Sequence, residues 1–262
     1  MLTTLRSCSI VLSFLVPVAP ALGGLPPAPG GVETFASGGI DYARVRAASV
    51  TPFDPAGHGN VLRPIGGGSW DFAISRTEVS QKVWVEFMGE FNAVPVPTGQ
   101  PWTSRMESML RGEFWVGPGM YATGVGPLGR LINRVTDEGA TLPARFMGWY
   151  GAAAFCNWLH NDRQVSIEAL TTGAYDLRQW NGADPDSWPG VTRQAGARYW
   201  IPSYDEWAVA AFYDPNRSGP NQPGWWPYLN RLERPPVPGA PGVGETSAGW
   251  EPEDPNFSVF LL

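Results

Sequence analysis

The chain has 262 residues, enough for one large domain or two small ones with a real core, and only 16% of them are charged. Thirteen Trp exclude a disordered chain, and a net charge of −6 with no Lys/Arg cluster excludes the electrostatic footprint of a nucleic-acid binder. The 32 Gly and 27 Pro suit a compact domain with much irregular loop rather than a helical bundle.

Residues 1–21 are expected to form an export leader. Arg6 supplies the positive charge, "CSIVLSFLVPVA" (8–19) is an apolar run, and Ala19-Pro20-Ala21 fits a small-residue cleavage site. The run is shorter than the about 20 apolar residues of a membrane span, and Pro17 and Pro20 interrupt any helix there. No second such run follows, and "FSVFLL" (257–262) is too short to anchor the chain. A soluble mature protein is therefore expected in the periplasm, at the cell surface or secreted. Cleavage removes Cys8 and leaves Cys156 as the single cysteine, which excludes an intramolecular disulfide in an otherwise oxidising compartment. Within "GAAAFCNWL" that residue reads as a small core side chain. A nucleophilic role would need a nearby base, and the chain has only His58 and His160.

Residues 22–31 form a Pro/Gly linker without periodicity, ahead of a domain spanning 32–262. "SWDFAISRTEV" alternates around Phe72 and Ile74 as a short strand does. "SQKVWVEFMGEFN" then predicts a helix, with Val83, Trp84, Phe87, Met88 and Phe91 on one core-facing stripe. Ser80 is placed to cap it, and Val79 to staple onto Trp84. Residues 93–143 are punctuated by Gly and Pro, with short strands such as "GEFWVG". In that stretch "GVGPLG" (124–129) formally matches a dinucleotide-binding glycine pattern. Pro127 within it and the absence of a strand–turn–helix context argue against a nucleotide site. A second helix is expected over "WYGAAAFCNWLHN", with Trp149, Ala153, Cys156 and His160 on one face and Ala152, Phe155 and Leu159 widening it. His160 at its C-terminus would favour the helix dipole when protonated, and it lacks a metal-ligating partner at i±4. "TGAYDL" reads as a short strand. In the turn that follows, Asn181, Asp184 and Asp186 cluster oxygen atoms, which suits either an Asx-rich turn or a calcium loop.

"IPSYDEWAVAAFYDPN" places Ser203, Asp205 and Glu206 at an abrupt turn. A serine followed three residues later by glutamate, just before an apolar run, is the capping-box signature. Asp205 adds negative charge where the helix dipole favours it, and Pro202 predicts an extended entry that ends a strand at "RYWI". Pro215 stops the helix. With neither histidine local, Ser203 has no base to activate it.

These residues also carry a resemblance. "YWIPSYDEWAVAAFYDPN" resembles the Leu-Pro-Ser/Thr-x-x-Glu-Trp-x-x-Ala-Ala motif of the formylglycine-generating enzyme (sulfatase-modifying factor) family. "DFAISRTEVSQKVWVEFM" (71–88) is similar to that family's opening strand, Glu-Val-Thr element and first helix. "PARFMGWYGAAAFCNWLHN" (143–161) is similar to its block ending Phe-Cys-Asn-Trp-Leu, and "TGAYDL" to a strand of secreted bacterial members. The resemblance spans roughly residues 30–216. It implies an α+β fold, irregular, loop-rich and C-type-lectin-like, with short strands and about three helices.

Family oxidases use a C-terminal cysteine pair to bind copper and convert a substrate cysteine to formylglycine, and they bind calcium in the same later portion. This chain continues past "YDPN" without the Gly-Asn-Val-x-Glu-Trp block and without a C-terminal cysteine. No catalytic, cofactor-binding or metal-ligating residue can therefore be carried over, and neither copper nor calcium is assigned. With two histidines the chain also fits poorly to the family branch that joins sulfur to a histidine betaine with iron. The expectation is an exported sulfatase-modifying-factor-like domain without oxidase activity in this chain, its scaffold open to a peptide or carbohydrate ligand. "GWWPY" (224–228) is the best local contact surface, unless Trp225 and Trp226 pin the loop to the core. One alternative is a copper-dependent sulfatase-cysteine oxidase whose catalytic segment is missing from this sequence. A second is a cell-surface scaffold.

Overall fold

The computed structural model describes residues 15–17, 33–47, 50–53, 64–66, 71–110, 119–144, 147–180, 191–239 and 245. Among them the chain is α+β, with short antiparallel strands and five α-helices. It divides into two compact units, Met1–Arg46 with Trp70–Pro202, and Ala47–Ser69 with Ser203–Leu262.

The first unit contains a four-stranded antiparallel sheet. Its strands are β1 (Leu15–Pro17), β2 (Thr34–Ser37), β3 (Ile40–Val45) and β4 (Phe72–Ser75), in the order β1-β4-β3-β2. The β2–β3 hairpin turns through Gly38 and Gly39, whose φ values of 57° and 72° both need the left-handed region that glycine enters freely. β1 lies inside the expected leader, and its backbone pairs with β4.

Helix α1 (Gln81–Glu90) begins as the sequence predicts. Ser80 is the N-cap and its Oγ accepts the Val83 N–H, while Val79 and Trp84 are both buried. Its stripe meets α3 (Trp149–His160) in an aromatic cluster: the Phe87 ring centre lies 5.1 Å from Trp84, 5.6 Å from Phe91, 5.3 Å from Phe155 and 5.2 Å from Trp158. Edge-to-face and tilted contacts of this kind add stability beyond the area buried. The sequence suggests one buried face for α3, but every residue from Tyr150 to Leu159 is buried. Three small alanines in a row let neighbouring elements approach from all sides, so the helix is enclosed rather than amphipathic.

Two helices were not expected. α2 (Thr103–Leu110) lies in the Gly/Pro-rich stretch and buries Met106, Met109 and Leu110; α4 (Ile167–Thr171) is capped by Ser166. "GEFWVG" lies outside the described residues. The glycine stretch 124–129 runs from the end of β5 (Met120–Val125) into the turn before β6 (Leu131–Val135), an antiparallel hairpin. No helix follows it, which is why the nucleotide pattern has no phosphate-binding N-terminus here. The strand read over "TGAYDL" reduces to a bridge between Tyr175 and Arg193, and "RYWI" to a single bridge position at Trp200.

In the second unit, α5 (Tyr204–Phe212) leads directly into β7 (Tyr213–Asp214), which pairs with β8 (Gly224–Trp225). A second pairing joins Phe53 to Ile65 through reciprocal backbone bonds of 2.8 and 2.9 Å.

Candidate functional site

The Ser203 turn is a complete capping box. Ser203 Oγ accepts the Glu206 N–H at 3.2 Å, and Glu206 Oε2 accepts the Ser203 N–H at 2.8 Å. Asp205 Oδ1 accepts the Gly66 N–H at 3.0 Å, so its carboxylate orders the 64–66 segment as well as the first helical turn. The polar groups that suggest a site are therefore acting as acceptors for backbone N–H groups, two at the helix start and one at Gly66.

Cys156 is fully buried on α3, and burial pushes its thiol pKa well above the ordinary value. A thiol so held is neither a nucleophile nor an open metal ligand. The resemblance implies a copper ion held by two thiolates, and such a site needs two soft sulfur ligands within reach of one another. Among the described residues Cys156 is the single cysteine, and none of them form a group of three or more His, Cys, Asp or Glu suited to a metal ion. Among the described residues the donors offer one thiol where such a copper site needs two.

His160 ends α3, but its expected role as a cation at the helix C-terminus does not hold. Its Nδ1 accepts the Arg198 N–H at 3.0 Å, which requires that nitrogen to be unprotonated. Desolvation chiefly, then the nearby Arg198 charge, lowers its pKa below 6.5, with Asp162 opposing. Arg198 also donates to the His160 carbonyl at 3.1 Å and to Asp162 Oδ1 at 2.7 Å. The imidazole thus joins the 198 segment to the end of α3. His58, Asn181, Asp184 and Asp186 lie outside the described residues.

The aromatic pair in "GWWPY" is engaged. The Trp225 indole donates to the Thr51 carbonyl at 3.0 Å and packs against Phe53 and Tyr213, with ring centres 6.0 and 5.5 Å away. A Cβ at Gly66 would fall 2.2 Å from that indole, so only glycine fits beneath it. The Trp226 indole donates to Asp214 Oδ2 at 3.1 Å, and the Arg217 guanidinium covers the ring at 4.9 Å. Both rings remain half-buried, so each keeps a solvent-facing part, but their polar edges hold the loop in place. The apolar groups most open nearby in the chain are Leu229, Leu232 and Val237.

Two polar residues missed from the sequence organise the first unit. Asn157, fully buried on α3, donates to the Leu170 and Tyr175 carbonyls and accepts the Tyr175 N–H, at 2.9, 2.9 and 2.8 Å. Its signal was present: one amide in an otherwise apolar helix. Arg130 has no such signal. It is fully buried and donates to the Phe91 and Val94 carbonyls and to Glu107 Oε2, each at 2.6 Å. Both bind backbone groups of the frame.

Among the described residues no helix is long and apolar enough to cross a membrane. A family model for the sulfatase-modifying factor enzyme 1-like domain matches residues 69–226, more than half of the chain. No curated protein and no solved structure matched.

Proposed function

The chain belongs to the sulfatase-modifying factor enzyme 1-like domain family, and its α+β fold is that domain's C-type-lectin-like one; from this premise we propose that it is an exported member without oxidase activity of its own, using the scaffold to bind a peptide or carbohydrate. The observation that carries the reading is the position of Cys156, fully buried in α3. Copper-thiolate oxidation needs a second sulfur beside an accessible first. The chain's other cysteine is Cys8, in the segment that reads as a leader. Export is supported by that same segment: Arg6, the apolar run and Ala19-Pro20-Ala21.

The test is to incubate the purified chain with copper and a cysteine-containing sulfatase peptide, then look for aldehyde by mass spectrometry. The expected result is unmodified cysteine. Clear conversion to formylglycine would overturn the reading and favour the oxidase alternative.

A further inference from the structure

Helix α3 starts without a side chain to cap it. Its N-cap is Gly148, no side-chain oxygen accepts there, and its first turn holds no acidic residue. The first helical bond runs from the Ala152 N–H to the Gly148 carbonyl at 3.0 Å. Ahead of it, the Tyr150 and Gly151 N–H groups have no acceptor among the described residues. The N–H groups in the place of Gly151 at α1 and α5, those of Val83 and Glu206, bond to serine hydroxyls. Partial positive charge therefore stands unanswered at the start of α3.

A buried side chain marks the same end independently. Tyr150 is 3% exposed, and its hydroxyl has no hydrogen-bond partner among the described residues. A helical side chain leans toward the N-terminus of its helix, and Tyr150 is the second residue of α3. Its ring stands edge-on to Trp180 with centres 5.8 Å apart, and the Arg105 guanidinium of α2 lies over that same indole, also at 5.8 Å. A Cβ built on Gly148 would be 3.9 Å from Arg105 Nη2, which puts the guanidinium at the helix start. Among the described residues Arg105 makes no ion pair or hydrogen bond. Burial chiefly pushes the Tyr150 phenol pKa up, the Arg105 charge opposing, so the group remains an O–H donor. Gly148 and Arg105 are half-buried, so solvent reaches the donors from their side.

We propose that the start of α3 is a binding site for a carboxylate, paired with the Arg105 guanidinium and accepting from the Gly151 N–H and the Tyr150 hydroxyl. The ligand oxygen supplies what the serine hydroxyls supply at α1 and α5, an acceptor for the third N–H of the helix. The guanidinium fork matches the two carboxylate oxygens. One guanidinium balances one negative charge, which favours a carboxylate over a doubly charged phosphate in a half-buried setting. The hydroxyl, costly while it is buried without an acceptor, gains one. The site requires neither export nor the absence of oxidase activity.

The experiment titrates the full chain with sodium acetate at constant ionic strength set by chloride, following amide resonances by NMR. Saturable shifts are expected at Tyr150 and Gly151, with a Kd on the order of 1 mM for so small a ligand, and none at the capped starts of α1 and α5. Arg105→Gln is expected to weaken binding about tenfold and Tyr150→Phe about fivefold. Tyr150→Phe should also raise the thermal midpoint of the acetate-free protein, because it removes an unpaired buried hydroxyl. Gly148→Asp places a carboxylate on the chain itself at an unstrained position and is expected to abolish the acetate response while the protein stays folded. N-acetyl-alanyl-alanine and its C-terminal amide distinguish the source of the group. Tighter binding of the free peptide than of acetate assigns a peptide terminus, and equal or weaker binding assigns a small free acid. Equal binding of the amide would overturn the proposal, as would phosphate binding more tightly than acetate. So would shifts that do not saturate, that appear equally at α1 and α5, or that persist unchanged in Arg105→Gln. A lower thermal midpoint in Tyr150→Phe would mean that the hydroxyl already has an acceptor, and would remove it from the site.

Discussion

In the unit built on α1 and α3, Phe87 meets four other aromatic rings within 5.6 Å and is fully buried. In the unit built on α5, Trp207, Trp225 and Trp226 are half-buried, and the described residues are joined by directed bonds: Ser203 with Glu206, Asp205 with Gly66, Trp225 with Thr51 and Trp226 with Asp214. The first arrangement resists change through dispersion and exclusion of water, which are spread over many atoms. The second depends on individual hydrogen bonds, each worth about 1 kcal/mol net. Among the described residues, the packed aromatic core lies between α1 and α3, and α5 with its neighbours is held by individual hydrogen bonds.

The strongest way to break the contrast is Phe87→Ala. Loss of a buried phenyl ring is expected to cost about 3–5 kcal/mol, read as a fall in the denaturant midpoint. A cost below about 1 kcal/mol would mean the aromatic cluster is looser than its ring distances imply. Asn157→Leu comes next. It removes the amide that bonds the Leu170 and Tyr175 carbonyls and the Tyr175 N–H, and loss of a buried hydrogen-bond partner costs about 1–3 kcal/mol per group. Chemical denaturation should show a loss approaching that of Phe87→Ala, despite the similar volume of leucine.

Ser203→Ala tests the other side of the comparison. Removing an N-cap acceptor is expected to cost about 1 kcal/mol, with faster amide exchange confined to the first turn of α5. Exchange that rises equally throughout α1 and α3 would contradict the division between the units. The smallest effect is expected from pH. His160 has a depressed folded pKa, so between that value and about 6.5 the unfolded chain binds more protons. Stability should be fully present above about 6.5, fall as pH drops through that window, and level off below the folded pKa. His160→Asn should flatten this part of the profile of thermal midpoint against pH.

Much of the first unit was legible in the sequence because its signals are local and redundant. The α1 stripe repeats at helical spacing and Ser80 marks its start; in the second unit the Ser203-to-Glu206 spacing likewise specifies a cap whose two bonds are both present. The hidden parts are those set by distant partners. Arg130 reads as an ordinary surface cation after a glycine turn, yet it is buried because carbonyls from residues 91 and 94 and a carboxylate at 107 converge on it. α2 was obscured by the glycines and prolines around it; its short run becomes helical where Met106, Met109 and Leu110 find a core. The candidate contact surface was legible as composition only. Whether Trp225 is a free contact group or a loop anchor depends on Gly66 and Thr51, more than 150 residues away in the chain.

The chain keeps the family's frame while Cys156 is fully buried in its core. A copper(I) titration of the folded protein against a chromophoric chelator tests this directly, with Cys156→Ala as the reference. Neither protein is expected to withdraw copper from the chelator, and both are expected to remain folded. One copper withdrawn per wild-type chain, lost in Cys156→Ala and accompanied by thiolate-to-copper absorption, would contradict it.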